Sequence, residues 1–133
     1  MLFRSGLEKE ISKQLKRNNI SFTYEKDKIS FLVPETKKVY TPDFKIKTKN
    51  SGKIIFIEGK GIWVYEDRYK HLLLRQQYPN LDIRFVFTNA KNKIRKGSKT
   101  TYADICEGRG RGEFKGITWK YASKKIPKEW LEE

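Results

Sequence analysis

Apolar residues recur at helical spacing near the start of the chain. Leu7, Ile11 and Leu15 fall at i, i+4 and i+8, which predicts an amphipathic helix over residues 5–18. Ser5 stands at the N-cap, and Glu8 stands at the third helical position, from which its side chain can return a bond to the cap. Glu8 also lies at the edge of the apolar stripe, from where it can point into a cleft. Ile20–Tyr24 alternates like a strand with one buried face, and Ile29–Val33 is a second short β-prone run. Pro34 then removes a ladder donor. The charged segment P-E-T-K-K reads equally as a loop between strands or as a connector that leaves the subunit.

Residues Val39 to Gly61 read as two strands joined by the polar turn K-N-S-G. Centring that turn between Asn50 and Ser51 sets Asp43 opposite Glu58. Side chains alternate with period two, so Glu58 and Lys60 share a face, and Asp43 joins them in this register. Lys53–Ile57 is apolar on both faces, as expected of a central strand, and Glu58 ends it. A helix is predicted over Glu66–Gln77, with Tyr69, Leu72, Leu73 and Leu74 on a wide apolar face. A strand is predicted over Asp82–Thr88. Strand, helix, strand in this order predicts a crossover within a mixed sheet. Residues 89–99 form a basic loop, and a short helix begins at Thr100 or Thr101 and runs to Glu107. The segment G-R-G-R-G-E-F-K-G reads as a flexible basic loop, either solvated or touching phosphate. Thr118–Ala122 is a short strand, and Pro127 opens a last turn of helix through Trp130. The pattern gives an α/β fold, a mixed sheet flanked by helices, in one domain spanning 1–133.

Composition adds a partner to this picture. The net charge is +14, which favours a polyanion. Residues 89–128 contain twelve Lys and Arg against Asp104, Glu107 and Glu113, so nine of those fourteen charges sit there. Nucleic acid is the expected partner, and Lys91, Lys93, Arg95, Lys96 and Lys99 are its candidate contacts. The hydrophobic fraction of 37% is too high for a disordered chain. No run approaches the ~18 apolar residues of a membrane span. The N-terminus lacks the apolar core of a signal peptide. A single cysteine, Cys106, excludes an internal disulfide and a cysteine-rich zinc site, and fits a reducing, cytoplasmic setting.

Two opposed carboxylates repel unless a positive charge lies between them. Asp43, Glu58 and Lys60 therefore suggest a divalent cation with a lysine beside it. Mg²⁺ prefers carboxylate and water oxygens, polarises a phosphate and lowers the pKa of bound water. Lys60 would orient or help deprotonate that water, or stabilise charge on phosphorus. Glu8 or Glu10 would supply a further carboxylate. The spacing alone is common in a chain that is 35% charged, and polar strand ends are the plainer explanation. His71 is the sole histidine and sits among leucines, so it suits packing or solvent better than catalysis. No serine–histidine–acid set and no phosphate-binding glycine loop is present.

Several blocks together resemble the phage endonuclease I family of Holliday-junction resolvases. They are F-R-S-G-L-E at 3–8, Y-T-P-D-F at 40–44, I-E-G-K-G at 57–61, D-R-Y-K-H-L-L-L-R-Q-Q-Y-P-N-L-D-I-R-F-V-F at 67–87, K-G-S-K-T-T-Y at 96–102 and I-P-K-E-W at 126–130. The resemblance implies a restriction-endonuclease-like core and a structure-selective nuclease that cleaves four-way and other branched DNA with Mg²⁺ or Mn²⁺. It places Asp43, Glu58, Lys60 and Glu8 on the catalytic positions, with the three carboxylates as metal ligands. It also implies a segment-swapped homodimer with a β bridge near 33–39, each site mixing residues of two chains, and action in the cytoplasm of an infected bacterium. A sequence-reading duplex nuclease and a non-catalytic DNA-binding module are the alternatives. Two features depart from the family pattern: a longer turn at K-T-K-N-S-G and an apparent insertion at 108–116.

Overall fold

Ser5 begins the first helix, α1 (Gly6–Arg17), in the computed structural model, which describes residues 3–33 and 36–133. Its Oγ accepts the Glu8 N–H at 3.1 Å. Three strands follow, β1 (Phe22–Tyr24), β2 (Ile29–Val33) and β3 (Thr36–Tyr40). Next come β4 (Phe44–Lys47), β5 (Ile54–Lys60), α2 (Tyr65–Gln77) and β6 (Ile83–Phe87). The chain ends with α3 (Tyr102–Cys106), β7 (Glu107–Arg109), β8 (Lys115–Thr118), β9 (Tyr121–Ser123) and α4 (Lys128–Glu132).

The central sheet has the order β1-β4-β5-β6-β9. β4 runs antiparallel to β1 and β5, whereas β5–β6 and β6–β9 are parallel. This is the mixed sheet and crossover expected from the pattern. Ile55, Ile57 and Val86 face one side, where Ile11 and Leu15 of α1 and Trp130 and Leu131 of α4 cover them. Phe85 and Phe87 face the other side, against Trp63, Leu72, Tyr102 and Ile105. The loop that carries the lysine-rich candidates is held by backbone bonds from Ile94 to Thr100 and from Tyr102 to Asn92, so it presents its cations in a fixed shape. No described helix is long and apolar enough to cross a membrane.

The expected register of the 39–61 hairpin is present, with Phe44 opposite Ile57 and Lys45 opposite Phe56. Its first strand is shorter than expected. Val39 and Tyr40 belong to β3 and pair with Ser30 and Ile29 of β2, not with β5. Pro42 has no N–H to give a ladder, and the chain bends there, so Asp43 sits just ahead of β4. The G-R-G-R-G-E-F-K-G segment is folded rather than loose. β7 and β8 pair around a single 3₁₀ turn, Gly112–Phe114, with Phe114 buried. A Cβ on Gly110 would lie 2.7 Å from that of Phe114, so only glycine fits against the turn. Of the bridge expected at 33–39, residues 34 and 35 lie outside the described residues. The flanking Val33 and Thr36 pair within one chain.

Arg84 of β6 is fully buried and makes paired bonds to two carboxylates, those of Asp82 and Glu133. These bonds hold the Asp82 carboxyl down at about 2. Removing the guanidinium strands both acids. Arg84→Ala should therefore cost about 3 kcal/mol, the low end for a broken buried pair because Glu133 stays partly solvated. A thermal melt should show a fall of about 10 °C. An unchanged melt would show that the pairs contribute nothing net.

Candidate active site

Four elements converge at the C-terminal end of β5. Leu7 and Ile11 of α1 rest near Gly59, which brings Glu8 to the head of β4, next to Asp43. The Asp43 carboxylate Oδ2 accepts the Gly59 N–H at 2.9 Å. The Asp43 N–H donates to Glu58 Oε1 at 3.1 Å. Asp43 thus joins the α1 side of the sheet to Glu58 and Lys60 on the α2 side.

Glu8 is buried, and its Oε1 accepts a short hydrogen bond from the Tyr24 hydroxyl. Its carboxylate does not return to Ser5, so Ser5 caps the helix alone and Glu8 faces the cleft. One oxygen each from Glu8, Glu25 and Asp43 lie within 4.8 Å of one another. Glu25 was not evident in the sequence pattern. It takes a left-handed backbone conformation (φ +49°), and its N–H donates to the Asp43 carbonyl. Arg4 pairs with it at 3.2 Å.

Glu58 is held differently. Tyr40 donates to its Oε1 at 2.8 Å, and Lys60 Nζ lies 3.3 Å from its Oε2. Lys60 Nζ also lies 2.6 Å from Asp67 Oδ2 on the first turn of α2. Asp67 lies in the block at 67–87 but was not among the expected site residues. Burial opposes the charge on Lys60, yet Glu58 and Asp67 together push its pKa above the usual lysine value. Lys60 is therefore an ammonium that can stabilise negative charge, not a free base. His71 is fully buried against Tyr40 and Phe85, and burial drives its pKa well below the usual value. It is a neutral core residue.

Burial first, and then the charge of Glu58, pushes the Asp43 carboxyl up to about 8. Burial likewise raises Glu58, despite Lys60. A cluster that cannot comfortably hold its own negative charge is suited to a cation. The oxygen-only donors of Glu8, Glu25 and Asp43 match a hard divalent ion, whose ligand atoms at ~2.1 Å from Mg²⁺ stand ~3–4 Å apart. Their spread, within 4.8 Å of one another, is close to that. Glu58 stands behind Asp43, its oxygens already engaged by Tyr40, Asp43 and Lys60.

Lys91, Lys93, Arg95, Lys96 and Lys99 are all exposed on their loop, and none forms an ion pair among the described residues. The structure does not bring them to the carboxylates. Arg95 and Lys99 instead line a separate groove beside α2 and the β7–β8 hairpin.

The sequence profile of the phage endonuclease I family matches residues 1–133. The chain is 45% identical to the endonuclease I of Escherichia phage T7 over 131 residues, 98% of this chain and 79% of that protein. It is 49% identical to the endodeoxyribonuclease 1 of Enterobacteria phage T3 over 108 residues, 81% of this chain and 68% of that protein.

Proposed function

The chain belongs to the phage endonuclease I family and is a DNA endonuclease, and from that premise we propose that it cuts branched DNA, four-way junctions above all, in a reaction dependent on Mg²⁺ or Mn²⁺. The observation that carries the metal dependence is the oxygen-only cluster of Glu8, Glu25 and Asp43, with Asp43 raised to about 8. A divalent cation bound there would neutralise charge on the scissile phosphate and make water more acidic. Lys60, kept protonated by Glu58 and Asp67, donates toward a non-bridging phosphate oxygen as charge grows there. Water oxygen bonds to phosphorus and gives up a proton to solvent, while the opposite P–O ester bond breaks and its departing oxygen takes up a proton. Glu58 fixes both Lys60 and the Asp43 backbone, so it sets their spacing.

The working unit of this proposal is a homodimer that exchanges α1, β1 and β2 through the 33–39 connection. Two features support it. The β2–β3 pair stands apart from the main sheet; Gln77 and Tyr78 cover the outer edge of β2, whereas the outer edge of β3 is open among the described residues, a template for pairing with another chain. Leu32, Val39, Ile62 and Val64 are more than half exposed, an apolar surface that a second copy would cover. A two-fold dimer matches the approximate two-fold symmetry of a four-way junction. Backbone contacts supply affinity with little sequence information, so branch shape sets selectivity.

Junction and linear duplex of matched sequence, each with Mg²⁺ or with EDTA, test this directly. Cleavage should require the metal and favour the junction by about tenfold or more, ~1.4 kcal/mol of discrimination. Equal rates on plain duplex would point to a sequence-reading duplex nuclease. Cleavage that persists in EDTA would overturn the metal dependence.

A further inference from the structure

Arg68 on the first turn of α2 is 5% exposed, yet it has no carboxylate partner among the described residues. Its one hydrogen bond goes from Nη1 to the Trp63 carbonyl at 2.5 Å, and its Nε is buried with no acceptor. A guanidinium carries five donors, and burying its charge unpaired costs several kcal/mol. Arg68 lines a half-open groove of about 590 Å³. Arg95 and Lys99 of the basic loop form one wall, and Arg111 of the β7–β8 hairpin forms another. All three are exposed and outside any ion pair among the described residues. The single acid at the groove, Glu113, already accepts a hydrogen bond from the Tyr65 hydroxyl at 2.5 Å. Four cations thus face a space that holds one engaged carboxylate.

We propose that this groove is a second phosphate site, in which Arg68 and Arg111 grip a backbone phosphodiester of the bound DNA while Arg95 and Lys99 flank it. This rests on the nuclease reading above and deepens it. The planar guanidinium of Arg68 offers unused donors, and a phosphodiester supplies two acceptor oxygens. The groove is coupled to the cleavage centre through one helical turn. Asp67 fixes Lys60, and its neighbour Arg68 opens into the groove. A strand held there is therefore positioned relative to the scissile phosphate. The folded hairpin, with Phe114 buried, holds Arg111 in place.

The test is binding of the full chain to a synthetic four-way junction in EDTA, measured across salt concentrations, for wild type, Arg68→Gln, Arg111→Ala and the double variant. Each single variant alters the groove of both subunits, so it should weaken junction binding about ten- to a hundredfold and lower the slope of log affinity against log salt by about 1.8, the release belonging to one phosphate in each groove. The double variant should lower the slope by no more than about that amount, because both arginines serve one phosphate. A merely structural Arg68 would alter the melting temperature without moving the slope. Arg111, an exposed side chain, decides the question should Arg68→Gln fail to fold. Slopes and affinities within twofold of wild type overturn the site. Wild-type protein that cuts the junction while the variants bind unchanged overturns this site alone. Wild type that neither binds nor cuts overturns the nuclease reading and this site with it.

Discussion

Asp43→Asn should abolish junction cleavage and, in metal-free buffer, make the protein more stable. Asn keeps an oxygen to accept the Gly59 N–H but removes the charge that the cluster tolerates poorly. Loss of this candidate cation ligand should lower the cleavage rate by about 10³-fold, roughly 4 kcal/mol of barrier. The stability effect follows from linkage. The folded carboxyl is raised to about 8 against an unfolded value of ~3.9, so between those values the native state binds the extra proton. Its favourable contribution is intact below ~pH 4 and is lost progressively up to about pH 8. At pH 8 the wild type therefore carries a penalty that Asn lacks. Discounted for the partly solvated position of Asp43, that penalty is about 1–2 kcal/mol, or about 3–6 °C in a melt. The gap should close as pH falls toward 4. Mg²⁺ should raise the wild-type melt and leave the variant nearly unmoved. A variant that still cuts, or that melts lower than wild type at pH 8 in EDTA, would sink this account.

How much of this site was legible follows the reach of local rules. Period two and a turn at Asn50–Ser51 placed Glu58 and Lys60 on one face and set the β4–β5 register correctly. The same rule overextended the first strand, because Tyr40 was better paired with Ile29 across a turn than with β5. That pairing matters: it delivers the Tyr40 hydroxyl to Glu58. Glu8 read locally as a capping residue, and Ser5 does cap. Only the packing of α1 near Gly59 turns Glu8 toward Tyr24 and Asp43, and no spacing rule encodes a contact between a helix and a strand end 35 residues on. The family resemblance named Glu8 where periodicity could not. Glu25 and Asp67 escaped both. Glu25 enters through a left-handed backbone turn, which a glutamate does not advertise, and Asp67 looked like an ordinary acid in a first helical turn. The glycine-rich segment at 108–116 looked loose because glycine permits many conformations. Here one of those glycines is required by the closeness of Phe114.

Mixing two inactive chains should restore activity if the sites are shared between subunits. Within one chain, Glu8 on α1 comes before, and Asp43 after, the paired strands β2 and β3, whose facing ends are Val33 and Thr36. Parting β2 from β3 in two copies lets α1 and β1 of each dock on the other's β5 and β4, and β2 on the other's β3 and α2. Every contact made by Glu8, including that from Tyr24, is then kept. Glu8→Ala and Asp43→Ala each inactivate both sites of a homodimer. In a mixed exchanged dimer, one composite site gathers both lesions and the other gathers none. Random pairing makes half the dimers mixed, so co-refolded chains should recover roughly a quarter of wild-type sites. Each working site stands alone, so the product on a cruciform plasmid should be nicked circles rather than paired cuts. Without exchange, each site in a mixed dimer carries one lesion, and the mixture stays as inactive as either parent. Chains purified separately and merely combined should recover activity only as fast as the exchanged segments come apart. A slow gain after mixing, against an immediate gain after co-refolding, separates exchange from simple association of two surfaces.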